Sequence, residues 1–224
     1  MNIYNKNLLH LLDKKGISFT DFEDVIAIPK IRILEPTPND LIRISDYFDI
    51  SIDTLLKTNT KGLDKVISRD IKLLILDVDG TMTDGGMYFS ESGDQLKKYN
   101  TKDGMAIRNL TKKDFQVGII SHGYKTKIVQ DRAELLGIQK VYVGRADKST
   151  ILKEWCNELK IGLNQVAYIG DDINDAQVMQ EVGLSACPSD SVKSIKKIAD
   201  IVLNKKGGDG CVREFIDEYI LLTE

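Results

Sequence analysis

The sequence has few cysteines and no long apolar segment, and both absences exclude classes of protein. Its cysteines, Cys156, Cys187 and Cys211, are widely spaced and odd in number, which argues against a disulfide framework or a zinc site. No apolar run approaches the roughly 18 residues that a membrane-spanning helix needs. The first residues lack the basic-then-apolar layout of a secretory signal. These features predict a protein of the reducing cytoplasm with no membrane partner.

A strong charge of either sign is also absent. The formal net charge is −3 over 224 residues, so electrostatics give no reason to expect nucleic acid or an anionic membrane as a partner. Hydrophobic residues make up 42% and charged residues 29% of the chain, which is typical of a globular protein. The length suits one large domain, or one domain with an appendage.

The stretch Leu73–Asp84 combines a predicted buried strand with paired carboxylates. Its apolar residues Leu73–Leu76 lead directly into Asp77 and Asp79, and then into Gly80. An apolar run bounded by turn residues is typical of a strand buried on both faces, and ligands bind at the carboxyl ends of such strands. Two carboxylates one residue apart repel each other unless a cation lies between them, and Mg²⁺ is the simplest such cation. The alternative is a polar turn after a core strand.

From Ile71 onward, apolar runs alternate with predicted helices. That rhythm predicts a doubly wound α/β domain, in which helices cover both faces of a parallel sheet. We therefore expect a small all-α domain over residues 1–60, a linker over 61–70 and the α/β domain over 71–224. The predicted strands are Leu73–Leu76, Val117–Ile120, Val141–Val143, Val166–Ile169, Leu184–Cys187 and Ile201–Leu203.

A predicted β-hairpin interrupts this alternation. Met87–Ser90 and Gln95–Tyr99 flank the turn-like segment Glu91–Asp94, which is the pattern of two antiparallel strands joined by a tight turn. Exposed apolar residues on such a hairpin would suit a contact between subunits.

Residues 1–60 follow a pattern of short predicted helices. Leu11–Ser18, a middle pair of helices and Leu41–Leu56 resemble a helix-turn-helix domain of the lambda-repressor/Cro type. The presumed recognition segment, Ile28–Ile33, departs from that type, because it holds a proline and apolar residues where base-reading polar side chains are expected. Seven basic and nine acidic residues give residues 1–60 a net charge of −2, which opposes phosphate contacts. We expect a packing or assembly role instead, through the apolar residues Ile26, Ile28, Ile31, Ile33 and Leu34.

Three further strand ends carry polar residues. Ser121 follows a predicted strand and suits a phosphate oxygen; the alternative is a serine that starts a turn. Lys148 begins a predicted helix, where its ammonium would neutralise a phosphoryl group or orient a nucleophile; the alternative is a solvated side chain. In the stretch Tyr168–Asp175, a predicted buried strand ends at Gly170, and a second acidic cluster follows it.

Together, these four strand ends resemble the four motifs of the haloacid dehalogenase-like hydrolase superfamily, over about Ile71 to Ile220. The resemblance implies that Asp77 is a nucleophile that forms an aspartyl-phosphate. It implies that Asp79 is the general acid/base. It also implies that Mg²⁺ is held by Asp77, Asp171 and the main-chain carbonyl of Asp79.

The same resemblance assigns the residues around the phosphoryl group. Ser121 and Lys148 would bind its oxygens, and Asp172 or Asp175 would orient Lys148 or a metal-bound water. The chain leaves no room for the cap domain that many members of the superfamily carry, because the insert after Asp79 is only a hairpin. A capless site is open unless a neighbouring subunit closes it.

The stretch Lys98–Arg108, with its Asn-x-Lys-Asp-Gly loop, and the tail Gly207–Glu214 resemble the 3-deoxy-manno-octulosonate 8-phosphate phosphatases and their sialic-acid-type relatives. In that family hairpins assemble a tetramer, the loop contacts the sugar acid and the tail reaches an adjacent site. We therefore expect a homotetramer, and we expect deletion from Gly207 onward to lower catalysis more than stability. The implied substrate contacts are Asn100, Lys102, Asp103, Gly104, Arg108 and Arg132; for the two arginines the alternative is a solvated helix face.

One departure from the family concerns the residues after Ser121. Many members continue with Gly-Arg, whereas this chain has His122-Gly123-Tyr124, and Lys125 or Lys127 would have to replace the missing arginine. Together with the residues, this resemblance implies a cytoplasmic, Mg²⁺-dependent, tetrameric phosphatase of a phosphorylated octulosonic or nonulosonic acid. Two alternatives are a DNA-binding regulator whose phosphatase-like domain senses a sugar phosphate, and a non-catalytic partner of a sugar-acid cytidylyltransferase.

Overall fold

The computed structural model describes residues 2–91, 95–123 and 126–221. The chain divides into two compact units, Met1–Asp64 and Lys65–Glu224. The segment 61–70, which the sequence predicts as a linker, lies almost entirely within a helix that spans Thr60–Arg69. The predicted linker is therefore helical. Among the described residues, no helix is both long and apolar enough to cross a membrane.

The first unit is helical, as predicted. Its helices are α1 (Ile3–Lys15), α2 (Phe19–Ile26), α3 (Lys30–Leu34), α4 (Pro38–Phe48) and α5 (Ile52–Lys57), and α6 (Thr60–Arg69) crosses into the second unit. The start of α4 shows how local sequence fixes these bounds. The hydroxyl of Thr37 accepts the backbone N–H of Asp40, and the carboxylate of Asp40 accepts the backbone N–H of Thr37, which satisfies two N–H groups at the helix start.

Most of the apolar residues that we expected on the surface of this unit lie in its core. Ile26, Ile28 and Ile33 are buried, whereas Ile31 is 73% exposed and Leu34 is 37% exposed. The three buried side chains pack in one cluster with residues such as Leu8, Phe22 and Ile44, because burial of apolar surface stabilises the fold. The expectation of an apolar docking surface is therefore wrong for three of its five residues.

The second unit contains every strand of the described chain. They are β1 (Leu73–Leu76), β2 (Tyr88–Phe89), β3 (Gln95–Leu96), β4 (Gln116–His122), β5 (Lys140–Gly144), β6 (Val166–Ile169), β7 (Leu184–Cys187) and β8 (Ile201–Val202). Six of them form a parallel sheet in the order β5-β4-β1-β6-β7-β8. Leu76, the last residue of β1, pairs with Ile119 of β4 and Ile169 of β6. The carboxyl ends of these three strands therefore lie side by side.

Helices cover both faces of this sheet, which confirms the predicted α/β fold. They are α7 (Thr101–Thr111), α8 (Thr126–Leu136), α9 (Lys148–Leu159), α10 (Ala176–Glu181), α11 (Lys193–Ile198) and α12 (Cys211–Phe215). Alternate residues of β1 belong to two separate cores. One core includes Ile107 of α7 and Phe215 of α12, and the other includes Leu152 of α9 and Val178 of α10. This two-sided burial explains the unbroken apolar run of β1.

The predicted hairpin forms a separate antiparallel pair of strands, β2 and β3. Tyr88 pairs with Leu96, and Phe89 pairs with Gln95. Met87, Tyr88, Phe89 and Leu96 are each more than half exposed, so the hairpin offers an apolar surface. Residues 92–94 of the predicted turn lie outside the described residues.

The glycine-rich tail packs against the loop that follows β1. The backbone N–H of Gly208 donates to the carbonyl of Thr81 at 3.0 Å, and a Cβ on Gly207 would lie 1.9 Å from the carbonyl oxygen of Gly80. Beyond it, α12 buries Phe215 in one of the two cores. Deletion from Gly207 onward would remove part of that core. We therefore expect a loss of stability to accompany the predicted loss of catalysis.

Candidate active site

A pocket of about 270 Å³ lies at the carboxyl ends of β1, β4 and β6. Asp77 directly follows β1, Ser121 is the last residue but one of β4, and Asp171 follows β6 by two residues. Asp79 and His122 also line the pocket, together with the segment Asp171–Asn174. The parallel sheet thus brings together residues that are far apart in the sequence, at the edge where the sequence predicts a site.

Lys148 connects two carboxylates of this site. Its ammonium donates hydrogen bonds to Asp77 Oδ1 and to Asp175 Oδ1, each at 2.6 Å. All three side chains are buried, and Lys148 is only 1% exposed. Burial opposes the charge on Lys148, but the two carboxylates outweigh it and raise its pKa. Lys148 is therefore not a solvated side chain at a helix start.

Asp175 is held by several donors at once. Its Oδ1 accepts Lys148 and the hydroxyl of Tyr168, the latter at 2.7 Å. Its Oδ2 accepts the backbone N–H groups of Asp171 and Asp172, at 3.0 and 3.3 Å. Both oxygens of Asp175 are thus occupied, and the Lys148 ammonium is one of their partners. Asp172 instead accepts the backbone N–H of Ile173 at 2.7 Å and is exposed at the pocket.

Three carboxylates lie close enough together to hold a cation. Oxygen atoms of Asp77, Asp171 and Asp175 lie within 4.8 Å of one another. Burial and the neighbouring carboxylates raise the pKa of Asp77, and they raise the pKa of Asp171 to about 7. Lys148 balances one of the three negative charges, and a divalent cation would balance the other two. Since Asp175 is occupied, Asp77 and Asp171 are the carboxylates that fit a hard cation such as Mg²⁺.

Gly80 allows the loop after β1 to approach Asp171. Its φ is +86°, and a Cβ at this position would lie 2.1 Å from Asp171 Oδ2. The hydroxyl of Thr81 donates to Asp171 Oδ1 at 3.4 Å. Only glycine meets both the backbone and the space requirement here. The loop that carries Asp79 therefore lies directly against the predicted metal ligand.

Asp79 is paired with Lys97, a contact that the sequence analysis missed. The ammonium of Lys97, which follows β3 of the hairpin, donates to Asp79 Oδ1, and its side chain is only 7% exposed. The hairpin is therefore part of the site as well as a surface feature. A long cationic side chain next to two-residue strands carries no sequence signal for such a contact, since its direction depends on how the hairpin folds back.

A larger cavity, of about 680 Å³, adjoins the pocket. The two share Asp79, Ser121 and His122. The rest of the lining combines apolar side chains with two cations, and comprises Gly85, Met87, Phe89, Lys97, Gly123, Val129, Val143 and Arg145. A phosphoryl group in the smaller pocket would therefore place the remainder of its substrate in the larger cavity.

His122 is the first residue after Ser121 at which this chain differs from the family pattern. Its Nε2 lies 3.1 Å from the carbonyl oxygen of Ala146, and its Nδ1 lies 3.4 Å from the side-chain nitrogen of Asn174. Tyr124 and Lys125 lie outside the described residues. Lys127 is exposed and pairs with Asp131 at 2.9 Å, which directs its charge to its own helix instead of the pocket.

Four of the six predicted substrate contacts lie at the start of α7, whereas Arg108 lies in its last turn and Arg132 lies on α8. Asn100 caps α7 and donates to the carbonyl of Gly208 at 3.2 Å. Asp103 is buried and accepts the backbone N–H of Arg213 at 2.7 Å; burial raises its pKa to about 6. These two residues therefore attach α7 to the tail.

The other four candidates differ in burial. A Cβ on Gly104 would lie 2.4 Å from Arg132, whose guanidinium lies over the ring of Tyr99, 5.2 Å from its centroid. Lys102 and Arg108 are exposed. Among the described residues, the linings of the two cavities include none of the six. Their predicted role as substrate contacts therefore has no support within a single chain.

Comparison with known sequences indicates a hydrolase, in agreement with the geometry of the site. The sequence profile of the haloacid dehalogenase-like hydrolases matches residues 124–215. The chain is 44% identical over 163 residues to a 3-deoxy-D-manno-octulosonate 8-phosphate phosphatase of Yersinia pestis, which covers 72% of this chain and 87% of that protein. It is 41% identical over 175 residues to the phosphatase of the same name from Escherichia coli K12, which covers 78% of this chain and 87% of that protein.

A solved structure of a phosphatase with the same name is also similar to this chain. The 3-deoxy-D-manno-octulosonate 8-phosphate phosphatase of Moraxella catarrhalis, in complex with a magnesium ion, a phosphate ion and a KDO molecule, has a TM-score of 0.67 and 31% identity, covering 70% of this chain and 89% of that one. The helix-turn-helix likeness of residues 1–60 gains no support from these comparisons.

Proposed function

This chain belongs to the haloacid dehalogenase-like hydrolases, in the family of 3-deoxy-D-manno-octulosonate 8-phosphate phosphatases, and we propose that it hydrolyses a phosphorylated 3-deoxy sugar acid. The chain is a phosphatase. The buried contact of Lys148 with Asp77 and Asp175, beside Asp171, supports the residue roles proposed below. The substrate is the 8-phosphate of 3-deoxy-manno-octulosonate or a nine-carbon, sialic-acid-type analogue.

Asp77 is the nucleophile in this proposal. One of its carboxylate oxygens attacks phosphorus, and the bond between phosphorus and the sugar oxygen breaks, which leaves an aspartyl-phosphate. Lys148 holds the Asp77 carboxylate through its 2.6 Å hydrogen bond and offsets the charge of the transferring group. Asp79 gives its proton to the departing sugar oxygen, which leaves as a hydroxyl group.

The second half of the reaction returns the enzyme to its starting state. A water molecule attacks the phosphorus of the aspartyl-phosphate, and Asp79, now a carboxylate, takes the proton of that water. The bond between phosphorus and Asp77 breaks, and inorganic phosphate leaves. Ser121, which is 2% exposed at the pocket, donates to a phosphoryl oxygen in both halves.

A divalent cation, which we propose to be Mg²⁺, would be held by Asp77, Asp171 and the main-chain carbonyl of Asp79. When bound, it neutralises charge on the phosphoryl oxygens. The donor set supports the proposal, since hard oxygen ligands suit Mg²⁺ and one lysine leaves the three carboxylates with two unbalanced charges.

The larger cavity is the proposed site for the sugar acid. Its lining includes Arg145 and Lys97, and the Lys97 ammonium also pairs with Asp79; such cations suit a carboxylate. Its boundary with the pocket at Asp79 would place the ester oxygen beside the proposed acid. The exposed hairpin residues Met87, Tyr88, Phe89 and Leu96 support a homotetramer in which hairpins meet. All three cysteines are buried and free, which suits a cytoplasmic location.

For residues 1–60 we propose that nucleic acid is not a partner. The presumed reading helix, α3, has only five residues, and its Arg32 donates to Asp40 at 3.0 Å, so this cation serves the fold. Hydrogen bonds from Arg32 hold the pKa of Asp40 down at about 2. A gel shift with genomic fragments at low salt tests this, and a sequence-selective complex at nanomolar protein would overturn it.

The substrate proposal is tested by turnover against a panel of phosphorylated sugar acids with Mg²⁺. We expect an eight- or nine-carbon 3-deoxy acid phosphate to give the highest kcat/KM, well above hexose phosphates of similar charge. Equal kcat/KM across the panel would contradict the proposed substrate class and would leave the phosphatase chemistry intact.

A further inference from the structure

We infer that Tyr168 is a positioning residue of this site: its hydroxyl holds Asp175 and, through Asp175, keeps Lys148 against Asp77. The inference rests on the proposed mechanism, in which Asp77 is the nucleophile. Tyr168 itself reaches neither the pocket nor the larger cavity among the described lining residues, so it acts only through its neighbours.

The geometry forms a continuous chain of hydrogen bonds. The hydroxyl of Tyr168 donates to Asp175 Oδ1 at 2.7 Å, and the same oxygen accepts Lys148 at 2.6 Å. Lys148 in turn donates to Asp77 Oδ1 at 2.6 Å. Each bond connects buried groups, and bonds of this kind are stronger and more directional away from water. The position of the Lys148 ammonium therefore depends on where Asp175 Oδ1 is held.

The hydroxyl is what requires an explanation at this position. Tyr168 lies within β6, pairs with Ile75 of the central strand and is completely buried, so a phenylalanine ring would fill the same space. A buried polar group costs stability unless it is hydrogen-bonded. Burial and the charge of Asp175 raise the pKa of Tyr168 well above its usual value, so the hydroxyl stays protonated and remains a donor.

Loss of this donor would change how Asp175 holds Lys148. With only Lys148 on Oδ1, the Asp175 carboxylate would draw the ammonium toward itself and away from Asp77. We expect Tyr168→Phe to lower kcat about tenfold and to change KM less than twofold, because the sugar cavity is untouched. With p-nitrophenyl phosphate, whose leaving group needs no acid, the loss should persist, since the defect concerns Asp77 and not Asp79.

Tyr4 offers a matched control. It is also buried, at 4% exposure, and its hydroxyl donates to the carbonyl of Ile33 at 2.6 Å, in the helical unit that lacks the catalytic residues. Tyr4→Phe should therefore lose a comparable buried hydrogen bond and keep the parental kcat. Orthovanadate, which imitates five-coordinate phosphorus, supplies a second readout that a merely structural role would leave unchanged.

The experiment compares kcat, KM and orthovanadate inhibition in the parent, Tyr168→Phe and Tyr4→Phe, all with saturating Mg²⁺. We expect Tyr168→Phe alone to lose about tenfold in kcat and in orthovanadate affinity. Values within twofold of the parent for Tyr168→Phe would overturn the inference, whatever its thermal midpoint. Absence of phosphatase activity in the parent would instead refute the proposed function.

If Tyr168→Phe does not fold, 4-aminophenylalanine at position 168 keeps the test decisive, because its amine restores a donor on the same ring. We expect this variant to retain at least half of the parental kcat. A folded amine variant with a tenfold loss in kcat would show that donation to Asp175 is not what the position supplies.

Discussion

Lys148 donates a 2.6 Å hydrogen bond to Asp77 across 71 residues of sequence, and both side chains are buried. Neither group would be stable alone in this position, because an unpaired buried charge is costly. The contact therefore contributes to both stability and function, because Asp77 is the proposed nucleophile and Lys148 is the cation that pairs with it. The first prediction follows from this contact.

Lys148→Met should lower kcat by roughly 10²–10³-fold, since it removes a preorganised charge from the phosphoryl site. It should also lower the free energy of unfolding by about 3–5 kcal/mol, because two buried carboxylates lose their partner. Steady-state kinetics and denaturant unfolding measure both effects. Lys153→Met is the control: Lys153 lies on the same helix and makes a half-exposed pair with Glu181 at 2.8 Å, so kcat should be parental. Parental kcat in Lys148→Met would contradict this role.

Mg²⁺ should stabilise the α/β unit. At 100 times its Kd, a ligand specific for the native state adds about 2.7 kcal/mol. Trp155 is the only tryptophan in the sequence, so its fluorescence reports unfolding of this unit alone. Asp171→Asn should abolish the shift of the thermal midpoint, whereas Asp172→Asn, at the exposed neighbouring carboxylate, should retain most of it. An undiminished shift in Asp171→Asn would refute the assignment of Asp171 as a ligand.

Asp103 should make stability depend on pH. Its pKa is about 6 in the folded protein and near 4 when unfolded. Between these two pH values, Asp103 is therefore protonated in the folded state and ionised in the unfolded state. Stability should therefore fall as pH rises from about 4 to 6, by about 2 to 3 kcal/mol, and then level off. Asp103→Asn, which imitates the protonated form, should lack this loss. The measurement is the unfolding free energy of variant minus parent at each pH, and a difference that stays constant would contradict it.

Gly80→Ala should cost far more activity than Gly16→Ala. Both glycines have positive φ, +86° and +65°, but a Cβ on Gly80 would lie 2.1 Å from Asp171, whereas a Cβ on Gly16 would have no atom within 4 Å. The Gly16 variant should lose about 1 kcal/mol of stability in the helical unit and keep its kcat. The Gly80 variant should bind Mg²⁺ weakly, as seen by titration of activity. Equal Mg²⁺ requirements in the two variants would show that the close approach to Asp171 is unimportant.

The parts of the fold that could be predicted from the sequence are those with a local cause. Unbroken apolar runs mark β1 and β6 because each is buried on both faces, and the bounds of these two strands and of β7 agree with the prediction. The carboxyl ends of parallel strands must meet at one edge, so Asp77, Ser121 and Asp171 could be grouped before their positions were known.

Contacts that depend on side-chain direction could not be predicted in this way. Lys97 reaches Asp79 only because the short hairpin folds back over the site. Tyr168 looks like any other residue of an apolar strand, and only its hydroxyl contact reveals a connection to Asp175. Asn100 and Asp103 match a family loop, yet within this chain their partners belong to the tail. In each case the partner is distant in sequence, and no periodicity indicates it.

The central claim is that Asp77 carries the phosphoryl group, and an acid-quenched single turnover with labelled substrate and excess enzyme tests it most directly. For the parent, we expect label bound to the protein within one turnover, located on the peptide that contains Asp77, followed by its release as phosphate. For Asp77→Asn, we expect neither bound label nor phosphate, because an amide does not attack phosphorus. Phosphate release by Asp77→Asn at the parental rate, or label on another residue, would contradict the claim.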